Sequence, residues 1–381
     1  MSAPPEAGPG AGPGAAPGEP SGTAPVAARR DAGLSARVAR RLPMRYAAGA
    51  DPALDRPAHV RAGSGLARLD TPAGERFAVV QDDANFLALV DPATGLADAV
   101  TFPAGVGGRR TFSKAEGTKE HKLDLEACCM VAHPSRPGER LLVAFGSGST
   151  DRRQQVVVVE GLETGPADAA RVTLVDASAL YAALRAERAF AGAELNVEGA
   201  ARVLGPDGAE VVRLFARGNG AGNALGSAAS ATCDLDARAL AEYLTGPAPA
   251  PAPRPARVTP YDLGALGDGE PGAGGADRLG FTDATPLGDA GAVLYVAAAE
   301  DSADVYEDGE VGGSALGVID GGAARWTPID DGEGETPAKV EGVAFDHEGR
   351  VWAVVDQDDP ERPSELWLLD VVGLQGAAGA G

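Results

Sequence analysis

Cysteine is nearly absent: there are three in 381 residues, and Cys128 and Cys129 are adjacent. A disulfide-built fold is excluded, and neighbouring cysteines do not form an ordinary bridge. Lysine is almost as scarce. Of 33 basic residues only Lys114, Lys119, Lys122 and Lys339 are lysine, against 55 Asp and Glu, for a formal net charge of −22. That balance argues against broad binding to nucleic acid or anionic membranes, which needs a positive face. No apolar run approaches the roughly 18 residues of a membrane span. No charged segment followed by an apolar one is present near residue 1, so no secretory signal is read and the cytoplasm is the expected location. The histidines, His59, His121, His133 and His347, show no zinc-ligand spacing.

What is present reads as an all-β chain. Hydrophobic residues make up 44%, ordinary for a globular protein. The first 25 residues contain seven Pro and six Gly and cannot bury enough surface to offset their ordering entropy. Residues 1–34 are therefore expected to be a disordered tail. Residues 35–374 are expected to form one domain, with a Pro/Gly-rich loop at 246–277 and a flexible tail at 375–381. Segments such as Leu141–Phe145, Val156–Val159, Val293–Val296 and Val351–Val355 are short, apolar or β-branched, and bounded by Gly, Asp or Pro, which predicts strands. Helical patterns appear only around Ala179–Ala189 and Asp236–Leu244.

The strands recur in sets. Each set opens with an anchor, a small residue and an apolar strand: Ser64-Gly65, Glu126-Ala127, Glu198-Gly199, Asp283-Ala284 and Glu341-Gly342. Anchor spacings are 62, 72, 85 and 58 residues, by subtraction. A recurring strand set with insertions in its loops predicts a radial repeat. The expected fold is a five-bladed β-propeller, its ring closed by an N-terminal strand around Val38–Ala47. The alternative is a β-sandwich or two β domains.

In a propeller the first strand of each blade lines the channel. Ser64, Glu126, Glu198, Asp283 and Glu341 then form a ring at one mouth. Four carboxylates so placed repel one another, and protons or a cation must relieve them. Hard oxygen ligands favour Ca²⁺, with Mg²⁺ second. The alternative is that each acid accepts hydrogen bonds from a neighbouring blade. The lysines supply a second signal, because three of the four precede the Glu126 anchor. Arg109, Arg110, Lys119 and Lys122, with Arg152, Arg153 and Arg217 from loops on the same face, form a candidate site for a small anion. The alternative is a solvated loop balancing nearby acids. Asp304 and Asp358 are candidate bases. Gly146-Ser-Gly-Ser-Thr150 lacks a P-loop lysine and is read as a turn, and Cys128 and Cys129 as buried small hydrophobes.

Lys122-Leu-Asp-Leu-Glu-Ala127, Glu194-Leu-Asn-Val-Glu-Gly199, Gly280-Phe-Thr-Asp283 and Lys339-Val-Glu-Gly342 resemble an uncharacterised bacterial family, a domain of unknown function. The Gly280-Phe-Thr-Asp283 and Glu341-Gly342 stretches are distantly similar to the calcium-activated nucleotidases, five-bladed propellers with Ca²⁺ in a central tunnel. That resemblance implies Ser64, Glu126, Glu198, Asp283 or Thr282, and Glu341 as metal ligands. It also implies metal-assisted hydrolysis of an anionic substrate such as a phosphoester. A lactone-cleaving propeller is the enzymatic alternative, and a non-catalytic propeller binding a ligand or protein is the other. A monomer without nucleic-acid or membrane partners is expected.

Overall fold

β-Branched and aromatic side chains pack well on a pleated surface, and the short apolar segments do become strands. The computed structural model describes residues 24–218, 230–246, 250–267, 277–289, 291–300 and 311–374. One unit repeats along them: a lead strand followed by antiparallel strands paired outward in order. In the first set these are Gly63–Thr71, Gly74–Gln81, Phe86–Val90 and Leu96–Thr101. The lead strands of later sets are Leu125–Ala132, Val197–Leu204, Asp277–Pro286 and Lys339–Phe345. Each lies beside the next, and Lys339–Phe345 lies beside Gly63–Thr71.

These sets do not make five separate blades. The strands form four sheets, two of five strands, one of four and one of ten. The strand Ser35–Pro43 is responsible. It pairs antiparallel with Glu365–Val372 and, through Ala36 and Arg37, in parallel with Ala323–Asp330. This joins the last two sets into one open sheet that sweeps 237° like half a barrel and leaves a 13 Å gap. The closed five-bladed propeller is thereby corrected. A strand has two hydrogen-bonding edges, and residue patterning alone does not say that both will be used.

Pairing also begins earlier than Ser35. Val26–Ala27 runs parallel to Ala256–Asp262, and Arg29–Arg30 runs parallel to Ala323–Asp330. Ala256–Asp262 lies within the 246–277 segment read as loop. Helices Ser178–Ala186 and Ala237–Thr245 pack Leu180, Tyr181, Leu184, Leu240 and Leu244 onto Val156, Val158 and Val212. Each such side chain contributes about 1.5–3 kcal/mol of burial. Asp236 caps the second helix by accepting from the Ala239 amide at 2.7 Å.

All five lead strands break register at the same place. The pairing skips Ser64, Glu126, Glu198, Thr282 and Glu341, each a one-residue β-bulge. Bulges re-aim a side chain, so the anchor motif is a bulge motif. In the fourth set the bulged residue is Thr282, and Asp283 occupies the place of Gly65, Ala127, Gly199 and Gly342. Those small residues are required by crowding: a Cβ on Gly199 would lie 2.9 Å from the Asp283 Cα. The fully buried Asp283 carboxyl fills the space they leave. Its Oδ2 accepts from the Val343 amide at 3.0 Å and the Leu66 amide at 3.4 Å. The Ala284 and Ala200 amides also favour its charge, although Oδ1 has no partner at hydrogen-bond geometry.

Candidate metal centre

The bulge at Glu126 and the residues just before it build one cluster. Lys122, Asp124 and Glu126 alternate in the sequence, and their charged ends meet in the fold. Asp124 has a left-handed φ of 58°, uncommon outside glycine but tolerated by Asp. Lys122 Nζ donates to Asp82 Oδ2 at 2.6 Å and lies 2.7 Å from Asp124 Oδ1. Arg153 Nη1 lies 2.9 Å from Asp124 Oδ2, and Ser147 Oγ donates to that same oxygen. The Gly146–Ser149 loop that delivers Ser147 depends on its glycines. A Cβ on Gly146 would lie 2.4 Å from the Arg153 carbonyl oxygen, and Gly148 has φ +75° with the Tyr181 ring against it.

Asp82, Asp124 and Glu126 each bring one oxygen within 4.8 Å of the others. Three carboxylates at that spacing can coordinate a divalent cation. Burial, then the charges of Asp82 and Asp124, push Glu126 well above the usual carboxylate range. Burial raises Asp82 to about 7 against the pull of Lys122. Burial also works against ionised Asp124, but Lys122 and Arg153 overcome it and hold that carboxyl down. Glu126 accepts no hydrogen bond among the described residues, and after burial the largest influences on it are neighbouring charges.

More charge surrounds the cluster. Arg61 holds Asp83 at 2.7 Å, and Lys339 holds Glu341 at 2.7 Å. Asn196 Nδ2 donates to Glu198 Oε1 at 2.5 Å, with Arg217 at 3.9 Å from that oxygen. Glu198 repels both Glu126 and Glu341, and Asp356 repels Glu341. Among the described residues the carboxylates of this mouth exceed its cations. Backbone strain gathers here too. Of the five described non-glycine residues with positive φ, Asp124 and Asp358 belong to the mouth, and the Ala62 carbonyl accepts from the Asp82 amide at 2.9 Å.

The sequence-predicted residues divide. Glu126 joins Asp82 and Asp124. Glu198 and Glu341 share the mouth but do not converge with Glu126 to ion-binding distance. Ser64 Oγ donates to the Leu125 carbonyl, Thr282 Oγ1 donates to the Val340 carbonyl at 2.7 Å, and Asp283 sits among backbone amides. Lys122 and Arg153 are held by acids of the cluster. Lys119, Arg152 and Arg153 line one cavity of about 460 Å³. Arg109 pairs with Glu116 at 2.6 Å on the surface. Arg110 Nε donates to the Phe102 carbonyl at 2.8 Å. Asp358, with φ 48°, lines a different cavity of about 290 Å³ beside Asp356 and Lys339. Asp304 lies outside the described residues. Sequence reasoning misses Asp82 and Asp124 as candidate ligands. The Lys122-x-Asp124-x-Glu126 alternation was the available signal for Asp124, whereas Asp82 arrives from another set.

The functional expectation also needs correction. A metal-assisted hydrolase, or a non-catalytic binder, built around a ring of ligands in a central propeller channel required an architecture that the four sheets do not provide. The acids that do gather to ion-binding distance belong to two neighbouring sets. No described helix is long and apolar enough to cross a membrane.

By fold and site this is an all-β chain with a charged mouth able to hold a divalent cation. It belongs to a family of unknown function, DUF6910, whose model matches residues 118–360. No curated protein matches the sequence. Among solved structures it is similar to the glutaminyl cyclase of Myxococcus xanthus at 10% identity. The match covers 92% of this chain and 99% of that one, with TM-score 0.42. A mannose phosphorylase from Leishmania mexicana matches at 12% identity over 87% of this chain and 88% of that one, TM-score 0.40. A family 43 β-1,3-galactosidase matches at 9% identity over 87% and 94%, TM-score 0.40. At these scores they assign no activity. They are not calcium-activated nucleotidases, and the resemblance to that family is not upheld.

Proposed function

We propose that this protein binds a divalent cation through Asp82, Asp124 and Glu126, with calcium preferred. The observation that carries the reading is the convergence of these three carboxylates within 4.8 Å, with Glu126 left without a hydrogen bond among the described residues. Mutual repulsion among carboxylates this close is relieved by a proton or a cation. All three donors are hard oxygens, which suit calcium or magnesium over zinc. Calcium, with bonds of about 2.3–2.6 Å and flexible geometry, bridges a spread-out set more readily than magnesium at about 2.0–2.1 Å. The Lys122 ammonium already lies between Asp82 and Asp124, so an entering cation displaces it or shares these oxygens with it. Arg153 and Ser147 keep Asp124 oriented in either state.

The test is a melting curve after EDTA, followed by return of Ca²⁺, Mg²⁺, Mn²⁺ or Zn²⁺. A metal that binds only the folded state at about 100 times its Kd adds roughly 2.7 kcal/mol. The expected result is a rise in Tm largest with Ca²⁺ and absent in Glu126→Gln. An unchanged Tm with every metal sinks the reading.

A further inference from the structure

The cavity of about 460 Å³ beside the acidic cluster has the opposite character. Its walls are Lys119, Glu120, Thr150, Asp151, Arg152 and Arg153. Among the described residues these walls carry three cations and two acids, in a chain whose net charge is −22. The acids are engaged elsewhere: Asp151 Oδ1 accepts from Gln154 Nε2 at 2.8 Å, and Glu120 Oε1 lies 3.4 Å from His121 Nε2. The two guanidiniums are held in place. Arg153 is only 8% exposed, and its Nη1 is fixed at 2.9 Å from both Ser149 Oγ and Asp124 Oδ2. Arg152 Nη1 donates to His121 Nδ1 at 2.9 Å, which uses one of the five N–H groups of its guanidinium.

We propose that this cavity binds the phosphate group of a small phosphorylated molecule. Two guanidiniums and the Thr150 hydroxyl provide donors from separate side chains, with Lys119 adding positive charge to the same wall, which suits a tetrahedral dianion better than a planar carboxylate. The volume exceeds what a bare phosphate fills and falls in the range of small-ligand pockets, about 300–1,000 Å³. The remaining space receives the rest of the molecule. Arg153 forms the wall shared with the metal centre, and its hold on Asp124 keeps it aimed without a bound cation. The inference therefore stands apart from the cation reading.

Calorimetric titration in EDTA with inorganic phosphate, ribose 5-phosphate and acetate tests it. Phosphate should give a saturable heat, ribose 5-phosphate should bind more tightly, and acetate should bind at least about tenfold more weakly, a difference of about 1.4 kcal/mol. The Lys119→Ala/Arg152→Ala double variant should weaken phosphate binding about tenfold or more with an unchanged Tm. Glu120→Gln/Asp151→Asn should strengthen it, which supplies a test if the first variant is unstable. No saturable heat with either phosphate compound overturns the proposal, as does acetate binding equal to phosphate. So does an affinity that neither double variant changes. Because EDTA is present throughout, failure here leaves the calcium melting result untouched, and the reverse holds as well.

Discussion

Asp283 and Glu126 are carboxylates on lead strands, and burial pushes both upward in pKa. Their surroundings differ completely. Asp283 lies between strands where the amides of Val343 and Leu66 donate to it. Glu126 faces Asp82, Asp124 and Glu198. One acid has its negative charge answered by the backbone of neighbouring sets, so it joins them. The other has its charge opposed by other side chains, so it remains available to a ligand. A recurring acid in a repeat is therefore not one role. Its use depends on whether it occupies the bulge or the residue after it.

The widest separation between the two roles should appear on deleting the acid at the axis. Asp283→Ala leaves the Val343 and Leu66 amides buried without an acceptor. At about 1–3 kcal/mol for each buried unsatisfied group, the loss should be about 3 kcal/mol in urea unfolding, the same with calcium or EDTA. A loss below about 1 kcal/mol would dissolve the distinction. Gly199→Ala tests the same contact from the other side. Its Cβ would press on the Asp283 backbone at 2.9 Å, and overpacking of this kind costs about 1–3 kcal/mol.

At the mouth the sign should reverse. Glu126→Gln replaces a carboxyl whose ionised form burial and its neighbours oppose, so in EDTA the variant should melt at or slightly above the parent. It should lose the calcium shift of roughly 2.7 kcal/mol. A variant destabilised in EDTA yet still raised by calcium would place Glu126 with the structural acids.

The sequence legibly carried the strand segments and the recurrence of the anchors. Val351–Asp356 and the two longer helices are local patterns, and local patterns are what periodicity reports. The anchors mark the bulges in four sets, and the small residue after each marks the crowding at the axis. The double use of Ser35–Pro43 was not legible, because pairing between distant edges depends on which surfaces meet after folding. The metal centre was legible by halves. Lys122, Asp124 and Glu126 alternate in sequence, whereas Asp82 reaches them across 40 residues, a separation that no local spacing rule covers.

A pH series separates the regions more gently. Burial and the nearby Asp358 raise Asp356 to about 7, above its ordinary 3.8. The folded protein therefore holds this proton more tightly than the unfolded chain. Between those values the folded state binds more protons, so stability falls as pH rises from about 4 to about 7, then levels. Asp356→Asn should flatten that slope in EDTA. A slope that survives in the variant would mean that Asp356 is not the group holding this proton.

The smallest effect belongs to Ser64, the one anchor without a charge among those first assigned to the metal. Its hydroxyl donates to the Leu125 carbonyl on the next lead strand, as Thr282 does to Val340. Both are latches between neighbouring sets, and a net hydrogen bond of this kind contributes about 1 kcal/mol. Ser64→Ala should therefore unfold about 1 kcal/mol more easily while its calcium shift matches that of the parent. The bulge itself should survive, because the close approach of Gly65 to Ala127 and Cys128 fixes the backbone there. If Ser64→Ala instead abolished the calcium shift and left EDTA stability unchanged, the serine would be a ligand. The cation would then sit nearer the lead strands of the first two sets than Asp82, Asp124 and Glu126 place it, and a residue now read as structural would count among the ligands.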